Sequence, residues 1–364
     1  MADHPSALVT WAHPDAPNLG VRALAEGTGA LLREAFGEVD LEFPVFEHEP
    51  LRSLLSTRSL LKGLVRPDRA LAAVIAEADI LVETGGGDSF TDIYGLARLA
   101  RMHHIHRAAR AARVPVIFGP QTIGPFRTRA GRLLGARMLD GAAVVIARDS
   151  ASAAEAARLG RPADALATDV VFALPLPAPV EGRDVALTVS GLLWNPNPHV
   201  VAEDYRSATR ELISGLLARG RQVTLVPHVL DNPSPDNDVP VARELAREFP
   251  GVELVVPDSL LDVRRVLASA RLVVGARMHA CLNAISTGTP AIPWAYSRKF
   301  LPLMSDLGWL FGVDVRTDAA TAAERTLELA ASDGLGESLP GVLSSAHERL
   351  SRAASAVATV RSTR

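Results

Sequence analysis

The sequence predicts an α/β protein built from two Rossmann-like domains. Three observations carry that expectation. Short apolar runs alternate with stretches of helical periodicity from residue 7 onward, the rhythm of βαβ units around a parallel sheet. The rhythm stops at the Pro-dense Val170-Val-Phe-Ala-Leu-Pro-Leu-Pro-Ala-Pro-Val-Glu-Gly182 and restarts after it, as an extended linker between domains would make it do. A chain of 364 residues with 48% hydrophobic side chains is long enough and apolar enough for two filled cores.

Ala7–Trp11 reads as the first strand, Pro14–Gly20 as a loop, Val21–Phe36 as a helix stopped by Gly37, and Val39–Phe43 as the second strand. Leu51–Arg69 interleaves leucines with Arg52, Arg58, Lys62, Arg66 and Arg69. That basic amphipathic pattern suits a surface helix packed on the sheet, the preferred reading, or a helix that lies on anionic lipid or meets an anionic acceptor. Leu71–Ala78 reads as helix and Ile80–Val82 as a buried strand. The next helix, 94–112, carries His103, His104 and His106. No carboxylate or cysteine completes a metal set there, so a solvated helix face is expected and no metal site. Val114–Phe118 and Ala142–Ala147 read as strands, Arg129–Leu139 as helix, followed by a helix ending near Gly160.

Beyond the linker, strands are expected at 184–190, 222–226, 252–256, 271–274 and 290–293, and helices at 203–219, 240–248, 260–269 and 279–287. The tail, about 338–361, is amphipathic and is expected to pack across the domains. The organisation read from these elements is an N-terminal domain 1–175, a C-terminal domain 183–335 and a terminal segment 336–364.

The net charge of −3 provides no basic field for nucleic acid. A single cysteine, Cys281, excludes an intramolecular disulfide and a thiolate metal site. The first residues lack a charged n-region and an apolar h-region, and no run of about 18 apolar residues exists, so neither signal peptide nor membrane span is expected.

Chemistry-bearing residues gather where strands end. In Arg271-Leu-Val-Val-Gly-Ala-Arg-Met-His-Ala-Cys-Leu-Asn-Ala-Ile-Ser-Thr-Gly-Thr-Pro290, Gly275 breaks a strand, and Arg277, Met278 and His279 lead into a helix. Open α/β sheets bind ligands at such ends. A helix N-terminus with an arginine suits a phosphate or carboxylate, and His279 can move a proton. The alternative is a capping arginine and a packed histidine. After Ile80–Val82 comes Glu83-Thr-Gly-Gly-Gly-Asp-Ser-Phe-Thr-Asp92. Gly86 and Gly87 let backbone approach a ligand closely, and Asp88 with Ser89 are expected at the start of the next helix, as a cap or as an active-site carboxylate. Gln121 and Thr122, in Gly119-Pro-Gln-Thr-Ile-Gly-Pro125, can hydrogen-bond a hydroxylated ligand. Arg148-Asp149-Ser150-Ala-Ser152 is a second anion-friendly turn or a structural Arg–Asp cap. In the polar loop Pro227–Asp238, His228 and Asp238 contact substrate or shape the loop; Tyr296, Arg298 and Lys299 follow the last strand.

Four of these stretches, Gly85-Gly-Gly-Asp-Ser-Phe90, Gly119-Pro-Gln-Thr-Ile-Gly124, Ala147-Arg-Asp-Ser-Ala-Ser152 and Gly275-Ala-Arg-Met-His-Ala280 with its continuation to Lys299, resemble the polysaccharide pyruvyl transferase family in order and spacing. The likeness covers roughly residues 7–310. It implies a fold similar to the B-type glycosyltransferases, with the site in a cleft between domains. It implies transfer of the pyruvate unit of phosphoenolpyruvate to two hydroxyls of a sugar or glycan precursor, giving a cyclic ketal and phosphate. The chain departs from the family at Asn18-Leu-Gly-Val21, where relatives often carry an acid after the glycine.

By resemblance Arg148 is the phosphoenolpyruvate-contacting arginine, Arg277 and His279 the Arg-x-His turn, and Asp88 the acid of the glycine-rich loop. Two guanidinium groups can hold a carboxylate and a phosphate on one small frame, so Arg148 and Arg277 are expected to form the clamp. A histidine beside bound anions has its charged form stabilised, so His279 is the expected general acid, with Asp88 as base; the reverse assignment stays open. Gly86, Gly87, Ser89, Gln121, Ser150, His228, Met278 and Lys299 are the further expected contacts. Neither cofactor nor metal is required. Phosphoenolpyruvate as donor implies cytoplasmic work, extending to the inner membrane face if the acceptor is lipid-linked. The rival reading is a nucleotide-sugar glycosyltransferase or sugar epimerase on the same fold.

Overall fold

In the computed structural model, residues 4–46, 49, 51–60, 67–297 and 300–360 are described, Leu301 by its backbone alone. The chain forms two compact units. Unit 1 comprises Met1–Pro14, Leu24–Ala173 and His347–Arg364; unit 2 comprises Asp15–Ala23 and Leu174–Ala346.

Unit 1 holds β1 (Ser6–Thr10), β2 (Asp40–Glu42), β3 (Ile80–Glu83), β4 (Val116–Gln121), β5 (Val144–Ala147) and β6 (Ala165–Leu166), in the order β2-β1-β3-β4-β5-β6. Every pairing is parallel. The central strands β3, β4 and β5 are buried residue after residue. Helices therefore cover both faces, as such uninterrupted apolar strands require. In this core Phe90 packs edge to face on Phe126 and at a tilt on Phe118.

Unit 2 holds β7 (Arg183–Thr188), β8 (Val223–Leu225), β9 (Glu253–Leu254), β10 (Ala270–Gly275), β11 (Ala291–Ala295) and β12 (Val313–Asp314), in the order β12-β11-β10-β7-β8-β9, again all parallel. The fold is α/β with two Rossmann-like sheets, as the sequence predicts. Strand order reverses between β1 and β3 in one sheet and between β7 and β10 in the other. Ligands of open sheets bind at such reversals, outside the carboxyl ends. The glycine-rich turn follows β3 and the Arg277 turn follows β10.

Several elements differ from the sequence reading. The first helix begins at Leu19 rather than Val21. Leu51–Arg69 is not one continuous helix: Leu51–Leu54 is a four-residue piece, and Asp68 caps a separate helix, Arg69–Ile75. Leu61–Arg66 of that stretch lie outside the described residues. The helix expected over 94–112 spans Leu96–Ala112, so Asp88 is too far upstream to cap it. Its histidines are not a solvated face. His104 and His106 are buried, His104 beside Asp68 at 3.8 Å and His106 beside Glu83 at 3.3 Å. The last helix, Gly334–Val357, divides between the units, up to Ala346 in unit 2 and from His347 in unit 1.

No described helix is long and apolar enough to cross a membrane.

Candidate functional site

In unit 1 the glycine-rich turn is held from below. Gly85, Gly86 and Gly87 all sit at positive φ, 57°, 59° and 82°, a region that disfavours side chains. A Cβ on Gly85 would lie 2.0 Å from Gln121 Oε1. Glu83, fully buried, accepts from Gly85 N at 2.8 Å and from Trp11 Nε1 at 3.1 Å. Gln121 Nε2 donates to Glu83 O at 2.8 Å, and Thr122 N to Gly87 O at 2.9 Å. Gln121, expected to meet a hydroxylated ligand, is thus a fully buried prop under the turn. Glu83 was missed by sequence reasoning, although a carboxylate ending a buried strand next to three glycines is a readable signal.

Two guanidinium groups flank this turn. Arg148 is 1% exposed, donates from Nη1 to Asp169 Oδ2 at 3.1 Å and from Nη2 to Thr122 Oγ1 at 2.6 Å, and buries its Nε with no hydrogen-bond partner among the described residues. Its Nη1 lies 3.6 Å from where a Cβ on Gly87 would stand. Arg98, which sequence reasoning also missed, lies over the Trp11 ring at 5.3 Å, with Nη2 3.2 Å from the Cβ position of Gly86. Arg98 Nε is likewise buried without a partner among the described residues. It stands in the first turn of Leu96–Ala112, whose N-cap Gly95 offers no side-chain cap. A cation there opposes the helix dipole unless an anion offsets both.

Asp88 closes the turn. Its Oδ1 accepts from Ser89 Oγ at 3.3 Å and its Oδ2 from Tyr94 OH at 3.2 Å. It is half-buried, whereas Ser89 is buried. Asp149, not Arg148, caps the helix Ser150–Arg158, accepting from Ser152 N at 2.7 Å; Ser150 is exposed at its start.

In unit 2, β10 runs into Arg277, the N-cap of Met278–Ser286, without a side-chain cap. The Arg277 guanidinium is spent on two aspartates. Nε reaches Asp238 Oδ2 at 3.1 Å, Nη2 donates to Asp238 Oδ1 and to Asp236 O at 2.7 Å, and Nη1 lies 2.8 Å from Asp236 Oδ1. Asp238, fully buried, also accepts from Gly191 N, His228 N and Val229 N. Burial pushes the Asp238 carboxyl up and Arg277 opposes it. With four donor groups aimed at it, a neutral acid would have nowhere to place its proton, so the pair is ionic. Asp238 therefore shapes the loop, and Arg277 ties that loop to the β10 turn.

His228, expected at the ligand, is 1% exposed, and burial holds its pKa well below the ordinary range, with His279 and Arg277 adding to the effect. Its Nε2 lies 3.4 Å from Asn283 Nδ2, which donates to His279 O at 2.7 Å. It is a neutral support under the helix. Met278 and His279 are half-buried. Lys299 and Arg298 lie outside the described residues. Cys281 is core, fully buried.

Gly20 fits His279. The Asn18-Leu-Gly stretch pairs with the His228 loop through Leu19 N to His228 O at 3.0 Å. A Cβ on Gly20 would stand 2.7 Å from His279 Nδ1. Gly20→Ala raises helix propensity, yet it must push the imidazole aside. We expect unfolding stability to change little, while turnover falls by about 10²-fold, the scale of a 1 Å misplacement. A Gly20→Ala protein with wild-type turnover separates His279 from the chemistry.

Among the described residues no group of three or more His, Cys, Asp or Glu is placed to hold a metal ion.

The family model described as polysaccharide pyruvyl transferase matches residues 18–298. No curated protein matches the sequence. Among solved structures, the chain is similar to S. aureus MnaA solved with UDP (TM-score 0.57, 12% identity, covering 92% of this chain and 90% of that one). It is similar to Anabaena HepE in complex with UDP-glucose (TM-score 0.54, 11% identity, 98% of each chain). A third likeness is to the UDP-GlcNAc 2-epimerase of Methanocaldococcus jannaschii (TM-score 0.54, 9% identity, 90% and 93%). At these identities the likeness is one of fold.

Proposed function

The chain belongs to the polysaccharide pyruvyl transferase family, and from that premise we propose that it moves the pyruvate unit of phosphoenolpyruvate onto two hydroxyls of a sugar or glycan precursor, releasing phosphate. One observation carries the donor assignment. Arg98 and Arg148 stand beside the successive glycines Gly86 and Gly87, which lack any Cβ to fend off a ligand. Phosphoenolpyruvate presents a phosphate and a carboxylate on three carbons. Two guanidinium groups over bare backbone suit that pair of anions.

Arg98 takes the outer position, next to the uncapped helix N-terminus. Arg148 keeps its unspent Nε for the ligand, while Asp169 and Thr122 fix its plane. Arg277, already paired with Asp236 and Asp238, orients the turn that carries His279 and leaves anion binding there to that helix N-terminus.

The chemistry then divides simply. His279 delivers a proton to the methylene carbon, so the central carbon becomes electrophilic. One sugar hydroxyl attacks that carbon, losing its proton to Asp88, and the C–O bond to phosphate breaks. The second hydroxyl adds to the oxocarbenium carbon left by that departure, its proton goes to the leaving phosphate, and the ring closes as the ketal. A positioned general acid and base each contribute about 10²–10⁴-fold in rate. The acceptor is a sugar diol, free or lipid-linked, and the work is placed in the cytoplasm, where the donor is made.

The test is phosphate release from phosphoenolpyruvate with a panel of sugar and glycan diols, read together with the appearance of a ketal methyl signal by proton NMR. Stoichiometric phosphate and ketal are expected with one acceptor class. Consumption of a UDP-sugar with no phosphate release from phosphoenolpyruvate would move the assignment to a nucleotide-sugar enzyme.

A further inference from the structure

Unit 1 carries a cavity at the opposite end of its sheet from the glycine-rich turn. The turn follows the carboxyl end of β3; this cavity opens where β4 begins, beside Val114, Pro115 and Val116. Its volume is about 900 Å3. Its walls come from the second halves of the helices Leu96–Ala112 and Arg129–Asp140.

Among the described residues four arginines line it, Arg107, Arg110, Arg113 and Arg137, against the single acid Asp140. Arg110, Arg113 and Arg137 are exposed and make no ion pair with any described residue. One cation in the last turn of each helix would satisfy its dipole; four around one cavity exceed that need and raise a positive potential. The half-buried His103 stands in the wall. Burial, then His106, Arg107 and Arg137, bring its pKa down to about 4, so it is a neutral hydrogen-bonding group at ordinary pH. The floor is apolar, with Val114, Val116 and Met138 buried.

The shape and the charge select the ligand class. The cavity is far larger than inorganic phosphate and falls in the range of small-molecule sites, roughly 300–1,000 Å3. Guanidinium forks match phosphate oxygens bidentately, and the apolar floor suits an organic body. We propose that this cavity is a second anion site of unit 1, binding an organic phosphate with an apolar or aromatic body. It is separate from the glycine-rich turn and independent of the donor assignment.

Calorimetric titration with ADP and with inorganic pyrophosphate tests it, on the full-length wild type, on Arg110→Ser/Arg137→Ser, and on Arg98→Ser at the glycine-rich turn. Arg110 and Arg137 are exposed side chains, and an unchanged melting temperature confirms that the double variant folds. We expect saturable ADP binding, weakened about tenfold or more in the double variant, the scale of lost charge-assisted hydrogen bonds, and unchanged in Arg98→Ser. Sedimentation with phosphatidylglycerol vesicles separates the sources. Vesicle binding that ADP competes away and the double substitution abolishes puts the phosphate on a lipid headgroup; ADP binding without vesicle binding puts it on a soluble molecule. Absence of saturable binding by either probe, or binding that survives the double substitution, overturns the proposal.

Discussion

His279→Ala is expected to lower turnover by about 10²–10⁴-fold, the usual contribution of a positioned general acid, while the melting temperature changes little. The side chain is half-buried and sits in the first turn of Met278–Ser286, so its removal opens no large core cavity. The surroundings hold the ring in place. Gly20 leaves room on one side, and Asn283 fixes the helix turn through His279 O. Steady-state rates of phosphate release, once an acceptor has been identified, check this directly. A proton donor acting at the methylene carbon should also show in solvent isotope incorporation, with deuterium entering the ketal methyl group in wild type. Near-full turnover in the variant removes His279 from the mechanism.

Asp238→Ala is expected to lower unfolding stability by about 3–5 kcal/mol, the scale of a buried ion pair broken from one side. The substitution strands the Arg277 guanidinium, only 7% exposed. It also orphans the N–H groups of Gly191, His228 and Val229, each a buried donor that then lacks its acceptor. Denaturant or thermal unfolding reads the loss. Asp236→Ala serves as the comparison. Asp236 is more exposed, at 31% of its side chain, and should lose far less. Equal losses for the two aspartates would mean that Asp238 is not what fixes the loop.

Much of the fold is legible in the sequence because parallel strands buried on both faces leave uninterrupted apolar runs, and helices between them leave periodic ones. The carboxyl-end turns are legible for the same reason. A strand that stops at Gly275, followed by Arg, Met and His, gives both the position and the chemistry. What escapes is whatever depends on distant partners. Arg277 reads as an anion clamp until Asp236 and Asp238, some forty residues upstream, are brought against it. Asp88 reads as a helix cap because Asp-Ser at the end of a glycine run looks like a helix start. Yet Phe90 is drawn fully into the core and Thr91 Oγ1 donates to Pro125 O, which delays the helix to Leu96. Arg98 escapes because one arginine on a helix rich in arginine carries no local signal; only its distance to Gly86 and Trp11 marks it. The edge strands β6 and β12, two residues each, also escape, whereas the equally short β9 is legible from the apolar residues around it, Val252, Leu254, Val255 and Val256.

The most direct measurement of the central claim is calorimetric titration of phosphoenolpyruvate into the wild-type protein and into Arg98→Ala, with UDP-GlcNAc titrated in parallel. The account predicts saturable phosphoenolpyruvate binding that weakens about tenfold or more in the variant, as expected for a lost charge-assisted contact. Tight UDP-GlcNAc binding with no response to phosphoenolpyruvate would contradict it.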